Sequence, residues 1–215
     1  MKRILVIGAH FDDSELGVGG SMKKWSSEGK EVFKLTLTDN VTFFEQYGGI
    51  SVEYERTRRE SAEASSILGV KEVTGFRPVP CNDLKYDKDI MQAVEAIIYQ
   101  LKIDTVVIHS PEDANRDHIE ASKICFTAAR HCPNVLFFKS NGYLSENGFV
   151  PNYFVDITDY VEDKRRALHC YSRENDRFGR LFDSCIEQNH FFGYSVGCAY
   201  AEQFKAIRLV EGGGE

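Results

Sequence analysis

Four residues that could do chemistry crowd the stretch "VIGAHFDDSELGVGG", residues 6 to 20: His10, Asp12, Asp13 and Glu15. They lie between an apolar run and the glycines Gly17, Gly19 and Gly20. A second such group, "HSPEDANRDHIEAS", follows the apolar run "DTVVI" and holds Asp113, Asp117 and His118. Carboxylates and imidazoles together suit Zn²⁺ or another divalent first-row metal. His10 and Asp13 are three residues apart across a strand-to-helix turn, which can aim both at one point. The third ligand then comes from the second group, where Asp113, Asp117 and His118 are the candidates. Three protein ligands leave a position for water, the arrangement of a catalytic metal site.

A dinucleotide-binding turn fits these residues poorly. It needs G-x-G-x-x-G directly after the first strand, so that the backbone can approach a pyrophosphate. Here the glycines after Gly8 come too late, and acids at the helix start would repel a phosphate. Simpler roles compete for each residue alone. Asp12, Asp13 and Asp117 each suit a helix N-cap, and His109 suits a satisfied histidine at a strand end. The metal reading gains from the pair of clusters, each placed after a buried strand.

The elements that must position these groups alternate. "RILVIGAH" is a buried strand by its continuous apolar run, and "DDSELGVGGSMKKWSSEG" a helix ending near Gly29. "EVFKLTLTDN" alternates as a second strand, "VTFFEQYGGIS" reads as a loop, and "SVEYERTRRESAEASSILGV" as an amphipathic helix stopping at Gly69. "KEVTGFRPVP" is a short strand, "KDIMQAVEAIIYQLK" a helix, "DTVVIHS" a strand and "DHIEASKICFTAARHC" a helix. "NVLFFKS" and "YFVDIT" are strands and "DYVEDKRRALHCYSREN" a helix. The segment from "RENDRF" to "AEQF" yields no clear pattern, and the tail "EGGGE" suits a frayed end. The expected fold is α/β: a Rossmann-like, mostly parallel sheet with helices on both faces. Ligands in such sheets bind at the carboxyl ends of the strands. Both chemical clusters lie there.

Residues 1–215 suit a single domain. The formal net charge of −7 argues against nucleic acid as a partner. No apolar run approaches ~18 residues, so no membrane span is expected, and the N-terminus does not resemble a signal peptide. A cytoplasmic location is the expectation. The six cysteines form no CxxC pair and are expected to be free, mostly packing thiols.

The quoted residues carry a family resemblance. "AHFDDSELGVGGS" resembles the AHPDDExxGxGG signature of the LmbE-like, or PIG-L, N-acetylglucosaminyl deacetylases. "HSPEDANRDHIEAS" resembles their second motif, HxxxDxHxDHxxA. "RRESAEASSILGV", "VDIT…EDKRRAL" and "GCAYAEQFKAIRL" match further segments in order. The resemblance implies a Zn²⁺-dependent hydrolase that removes an N-acetyl group from an amino sugar or sugar conjugate, with His10, Asp13 and His118 as ligands. Asp12 is implied as the general base, and Asp117 and Asn115 as its catalytic neighbours. Two positions depart from the pattern: Phe11 replaces a proline, and Asn115 replaces a histidine that helps stabilise the oxyanion. An amide can donate a hydrogen bond there but carries no proton at neutral pH, so slower turnover is expected. Hydrolysis of another small amide, or a weak metal- or sugar-binding relative, are the alternative readings.

Arg58, with Arg56 and Arg59 beside it, and Arg116 inside the second motif are candidate substrate-side cations. Solvated i,i+4 pairs such as Arg56 to Glu60 are the plainer reading. The segment "FFEQYGG" suits a sugar-covering loop or an ordinary surface loop. His131, His169 and His190 are expected to be structural, and Tyr171 and Tyr194 to be packing residues. In the family the late unpatterned segment shapes the substrate pocket or forms homo-oligomer contacts.

Overall fold

β1 (Arg3–Gly8) lies inside a seven-stranded sheet, third from one edge, with a buried apolar side chain at four consecutive positions. In the computed structural model, which describes residues 1–45, 49–171 and 181–211, the strand order is β5-β2-β1-β6-β7-β9-β8. These strands are β2 (Glu31–Thr36), β5 (Lys71–Glu72), β6 (Thr105–His109), β7 (Asn134–Phe138), β8 (Tyr153–Asp156) and β9 (Ala201–Arg208). β5, β2, β1, β6 and β7 run parallel in register, and β9 pairs antiparallel with both β7 and β8. The expected mostly parallel α/β sheet is therefore present.

Alternate residues of the central strands feed two separate cores, as a sheet covered on both faces requires. Ile4, Val6, Val107 and Leu136 meet α1 (Asp13–Ser27), α2 (Tyr54–Leu68), α5 (Val161–Leu168) and α6 (Leu181–Val196). Leu5, Ile7, Val106 and Ile108 meet α3 (Lys88–Gln100) and α4 (Arg116–Ala128).

The glycines of α1 answer to packing. Gly17 sits against the Phe138 ring, Gly19 against the Lys164 stem and Gly20 against Ile157, so a Cβ at Gly17 or Gly20 would collide with its neighbour. α1 can thus lie close to β7 and α5. Glu15 also turns inward. It is fully buried and its Oε1 accepts from Lys34 Nζ at 2.6 Å. The same ammonium donates to Ser61, to Tyr171 Oη and to the Phe11 carbonyl. A lone buried charge would be costly, and each charge here has the other as its partner, through Oε1 of Glu15.

Two expectations need correction, and one unread segment gains its elements. The stretch around "VTFFEQYGGIS" holds a short antiparallel pair, β3 (Thr42–Phe44) and β4 (Ile50–Val52), because Thr42↔Val52 and Phe44↔Ile50 pair across it; residues 46–48 lie outside the described residues. "KEVTGFRPVP" contributes only the two residues of β5. The late unpatterned segment contains α6 and the long edge-side strand β9. Helix α5 ends at Leu168, and the rest of the predicted helix beyond Tyr171 lies outside the described residues, as does most of the tail.

Candidate metal centre

The carboxyl ends of β1, β6 and β7 converge on one polar cluster, beside the point where the strand order reverses. His10 and Asp13 arrive from the β1–α1 turn, His109 from the last position of β6, His118 from the first turn of α4, and Ser140 and Asn141 from the segment after β7. Three groups from two distant segments meet here: His10, Asp13 and His118 each offer a ligand atom within 4.8 Å of the others. His10 Nδ1 lies 3.2 Å from His118 Nε2 and 3.3 Å from Asp13 Oδ2, while His118 Nε2 lies 3.2 Å from Asp13 Oδ1.

A second layer holds each of these groups in place. Asp117 Oδ2 sits 3.2 Å from His10 Nε2 and accepts from the Asn82 amide at 2.8 Å. Asp113 Oδ2 sits 3.1 Å from His118 Nδ1, and Asn141 Nδ2 donates to both Asp113 oxygens. Ser140 Oγ donates to Asp13 Oδ1 at 2.8 Å, and the His10 amide donates to Asp13 Oδ2 at 2.7 Å. Carboxylates behind metal-type histidines fix the tautomer and raise ligand basicity. His109 is fully buried, stacks on His118 with ring centroids 4.1 Å apart, and places Nε2 3.1 Å from Asp13 Oδ2.

The electrostatics follow from this crowding. Burial opposes the imidazolium of His10, but Asp13 and Asp117 outweigh it and hold its pKa well above the usual histidine range. Burial likewise opposes charge on His118, which Asp13 and Asp113 raise to about 9. Burial would push Asp13 up, yet the three histidines keep its carboxyl well below the usual range. Burial and the charge of His118 lower His109 to about 4. The donor set is two imidazole nitrogens and one carboxylate around a common point, where positive charge is favoured. That is the composition of a three-ligand Zn²⁺ site with an open position.

Asp12 occupies the N-cap position of α1 but makes no capping bond with its side chain. It lines the pocket above the cluster together with Asn40, Thr42, Asn82 and Asn115. Capping falls instead to Asn115, whose Oδ1 accepts from the Asp117 amide at 2.9 Å and so starts α4. The pocket measures about 180 Å³.

The two arginines expected on the substrate side are not among the pocket-lining residues. Arg58 pairs with Glu55 at 3.3 Å and borders a separate pocket with Lys34 and Glu72. Arg116 is exposed, beside Glu120. Their long side chains start from the outer faces of α2 and α4, which point to solvent. Arg56 makes its i,i+4 pair with Glu60 at 3.0 Å. Phe44, inside the segment read as a sugar-covering or ordinary surface loop, lines the pocket, whereas Asn40, Thr42, Cys81, Asn82, Ser140, Asn141 and Tyr143 escaped the sequence reading as pocket residues. For Asn40, Ser140 and Asn141 the available signal was their position just beyond a strand's carboxyl end.

An α/β sheet whose strand ends gather a His–Asp centre defines the general class. Within it, residues 5–129 match the PIG-L family, GlcNAc-PI de-N-acetylase, and the chain belongs to that family. It is 27% identical to the diacetylchitobiose deacetylase of Thermococcus kodakarensis over 99% of this chain and 84% of that protein. Among solved structures, the N,N'-diacetylchitobiose deacetylase of Pyrococcus horikoshii, complexed with its inhibitor MPG, is similar with a TM-score of 0.79 and 23% identity. That likeness covers 96% of this chain and 84% of that one. GalB, the 4-carboxy-2-hydroxymuconate hydratase of Pseudomonas putida, is similar with a TM-score of 0.81 and 20% identity over 100% of both chains. At these identities the two structural likenesses speak to the fold.

Proposed function

We propose that this protein is a metal-dependent hydrolase that removes the acetyl group from an N-acetylated amino sugar or sugar conjugate. The observation that carries the reading is the convergence of His10, Asp13 and His118 within 4.8 Å, with Asp12 lining the same pocket. Family membership and the deacetylase relative support the reaction. Zn²⁺ fits the donor set best, and when bound it would supply Lewis acidity and lower the pKa of a coordinated water.

The chain's own residues supply the rest. Asp12 takes a proton from the attacking water and returns it to the departing amine. Asn115, with Oδ1 engaged in the cap, turns Nδ2 toward the developing oxyanion. Asp117 orients His10 and Asp113 orients His118, while Ser140 fixes Asp13. Arg58 and Arg116 have no part in this scheme.

Release of acetate from N-acetyl sugars by metal-loaded protein tests the proposal, with chelated protein as the control. A second reading, a weak or silent sugar-binding relative, is favoured by the capping role of Asn115. It predicts sugar binding without acetate release. Among the described residues no helix is long and apolar enough to cross a membrane.

A further inference from the structure

The pocket above His10 and His118 is biased in charge. Four carboxylates surround the two imidazoles: Asp12 and Asp13 line the pocket, and Asp117 and Asp113 hold His10 and His118 from behind. A divalent cation at the centre would offset only half of that charge. The remaining wall is neutral. Asn40, Thr42, Asn82 and Asn141 supply amide and hydroxyl groups, and Phe44 and Tyr143 supply rings.

Among the described residues, no lysine or arginine lines this pocket. The cations nearby do not line it: Lys34 is buried against Glu15, Arg58 pairs with Glu55, Arg116 is exposed beside Glu120, and Lys139 Nζ donates to the carbonyl of Tyr143 at the pocket's edge. A phosphate or carboxylate entering the pocket would lose water, face Asp12 and Asp13, and find no guanidinium or ammonium partner among the described lining residues. The hydroxyls of a sugar would find amides and hydroxyls, and its C–H faces would find Phe44 and Tyr143.

We propose that this site takes an uncharged N-acylated amino sugar and discriminates against the same sugar bearing a phosphate. The choice of an N-acyl sugar rests on the deacetylase reading; the charge selection rests on the pocket wall alone.

The test compares methyl N-acetylglucosaminide with the 1- and 6-phosphates of N-acetylglucosamine on the metal-loaded protein. The neutral sugar should have a kcat/KM at least about tenfold higher, as like charges placed together are costly. Raising the salt should shrink the gap, and Thr42→Lys should narrow it several-fold. Equal or faster turnover of either phosphate would overturn the proposal with the deacetylase reading intact. Calorimetry on the metal-free wild-type protein provides a readout that needs no turnover and leaves Asp12 and Asp13 in place. If neither sugar is cleaved, the deacetylase reading falls and calorimetry still decides the charge selection. Tighter binding of the neutral sugar then upholds it. Tighter or equal binding of the phosphates, or no binding of either sugar, overturns it.

Discussion

Nδ1 of His10 and Nε2 of His118 face one another at 3.2 Å across 108 positions of sequence. Two imidazole nitrogens so close need a proton or a cation between them, and the Asp13 carboxylate touches both rings. Asp117 and Asp113 fix the far nitrogen of each ring. Neither ring can turn away without losing a buried partner. The pair is therefore already arranged to receive a metal ion.

In the proposed scheme the adjacent aspartates divide the work. Asp13 lies within the ligand triplet, whereas Asp12 lines the pocket outside it. Asp12→Asn should keep about one metal per chain and lose ~10²–10⁴-fold in turnover, as loss of general acid–base help does. Asp13→Asn should lose the metal itself. Elemental analysis beside kinetics checks both. Metal loss in the Asp12 variant would mean that the two roles are exchanged.

In the proposed scheme Asn115 has two jobs, helix capping and oxyanion binding, that a histidine would divide differently. Its Oδ1 caps α4, so Asn115→His should cost about 1 kcal/mol of stability. An imidazolium donates a stronger hydrogen bond than an amide, so kcat on simple N-acetyl sugars should rise. Thermal melts and steady-state rates on the same preparation measure the two effects. A fall in kcat with metal occupancy unchanged would contradict the oxyanion role.

Gly17 connects helix packing to the centre. A Cβ there would strike the Phe138 ring, which contacts His109 at a centroid distance of 4.5 Å, and His109 stacks on His118. Gly17→Ala should cost about 1–3 kcal/mol through overpacking and weaken metal retention. Unchanged stability and metal affinity would show that the ring yields freely.

Lys164 and Glu202 form a fully buried pair at 2.6 Å, and Glu202 also accepts from the amides of Gly20 and Ser21. Lys164→Met leaves that carboxylate uncompensated. The expected loss is about 3–5 kcal/mol, read from denaturant unfolding. Lys164→Met with Glu202→Gln should recover part of it.

The legible part of the site shares a simple physical cause. His10, Asp13 and His118 stand where apolar strands end, and polar clusters at those points have few structural reasons to exist. The parallel strands were legible for the same reason, since β1, β6 and β7 are continuous apolar runs buried on both faces. Residues with single, ordinary roles were not. Ser140 and Asn141 are isolated polar residues whose task becomes visible only when β7 is laid beside β6. Glu15 looked like a third acid of the site, because its partner Lys34 is hidden inside a buried strand. Tyr171, expected to be packing, also donates from Oη to the Phe11 carbonyl at 2.9 Å. Arg58 and Arg116 stand outside the described pocket lining, since charge near a motif says nothing of the helix face it occupies.

Acetate release from N-acetylglucosamine glycosides, followed on one preparation before chelation, after it, and after return of Zn²⁺, tests the central claim most directly. The account predicts one acetate for each free amine formed, loss of release on chelation, and recovery with metal. Absence of acetate from every N-acetyl sugar in the metal-loaded protein, or release indifferent to chelation, would contradict it.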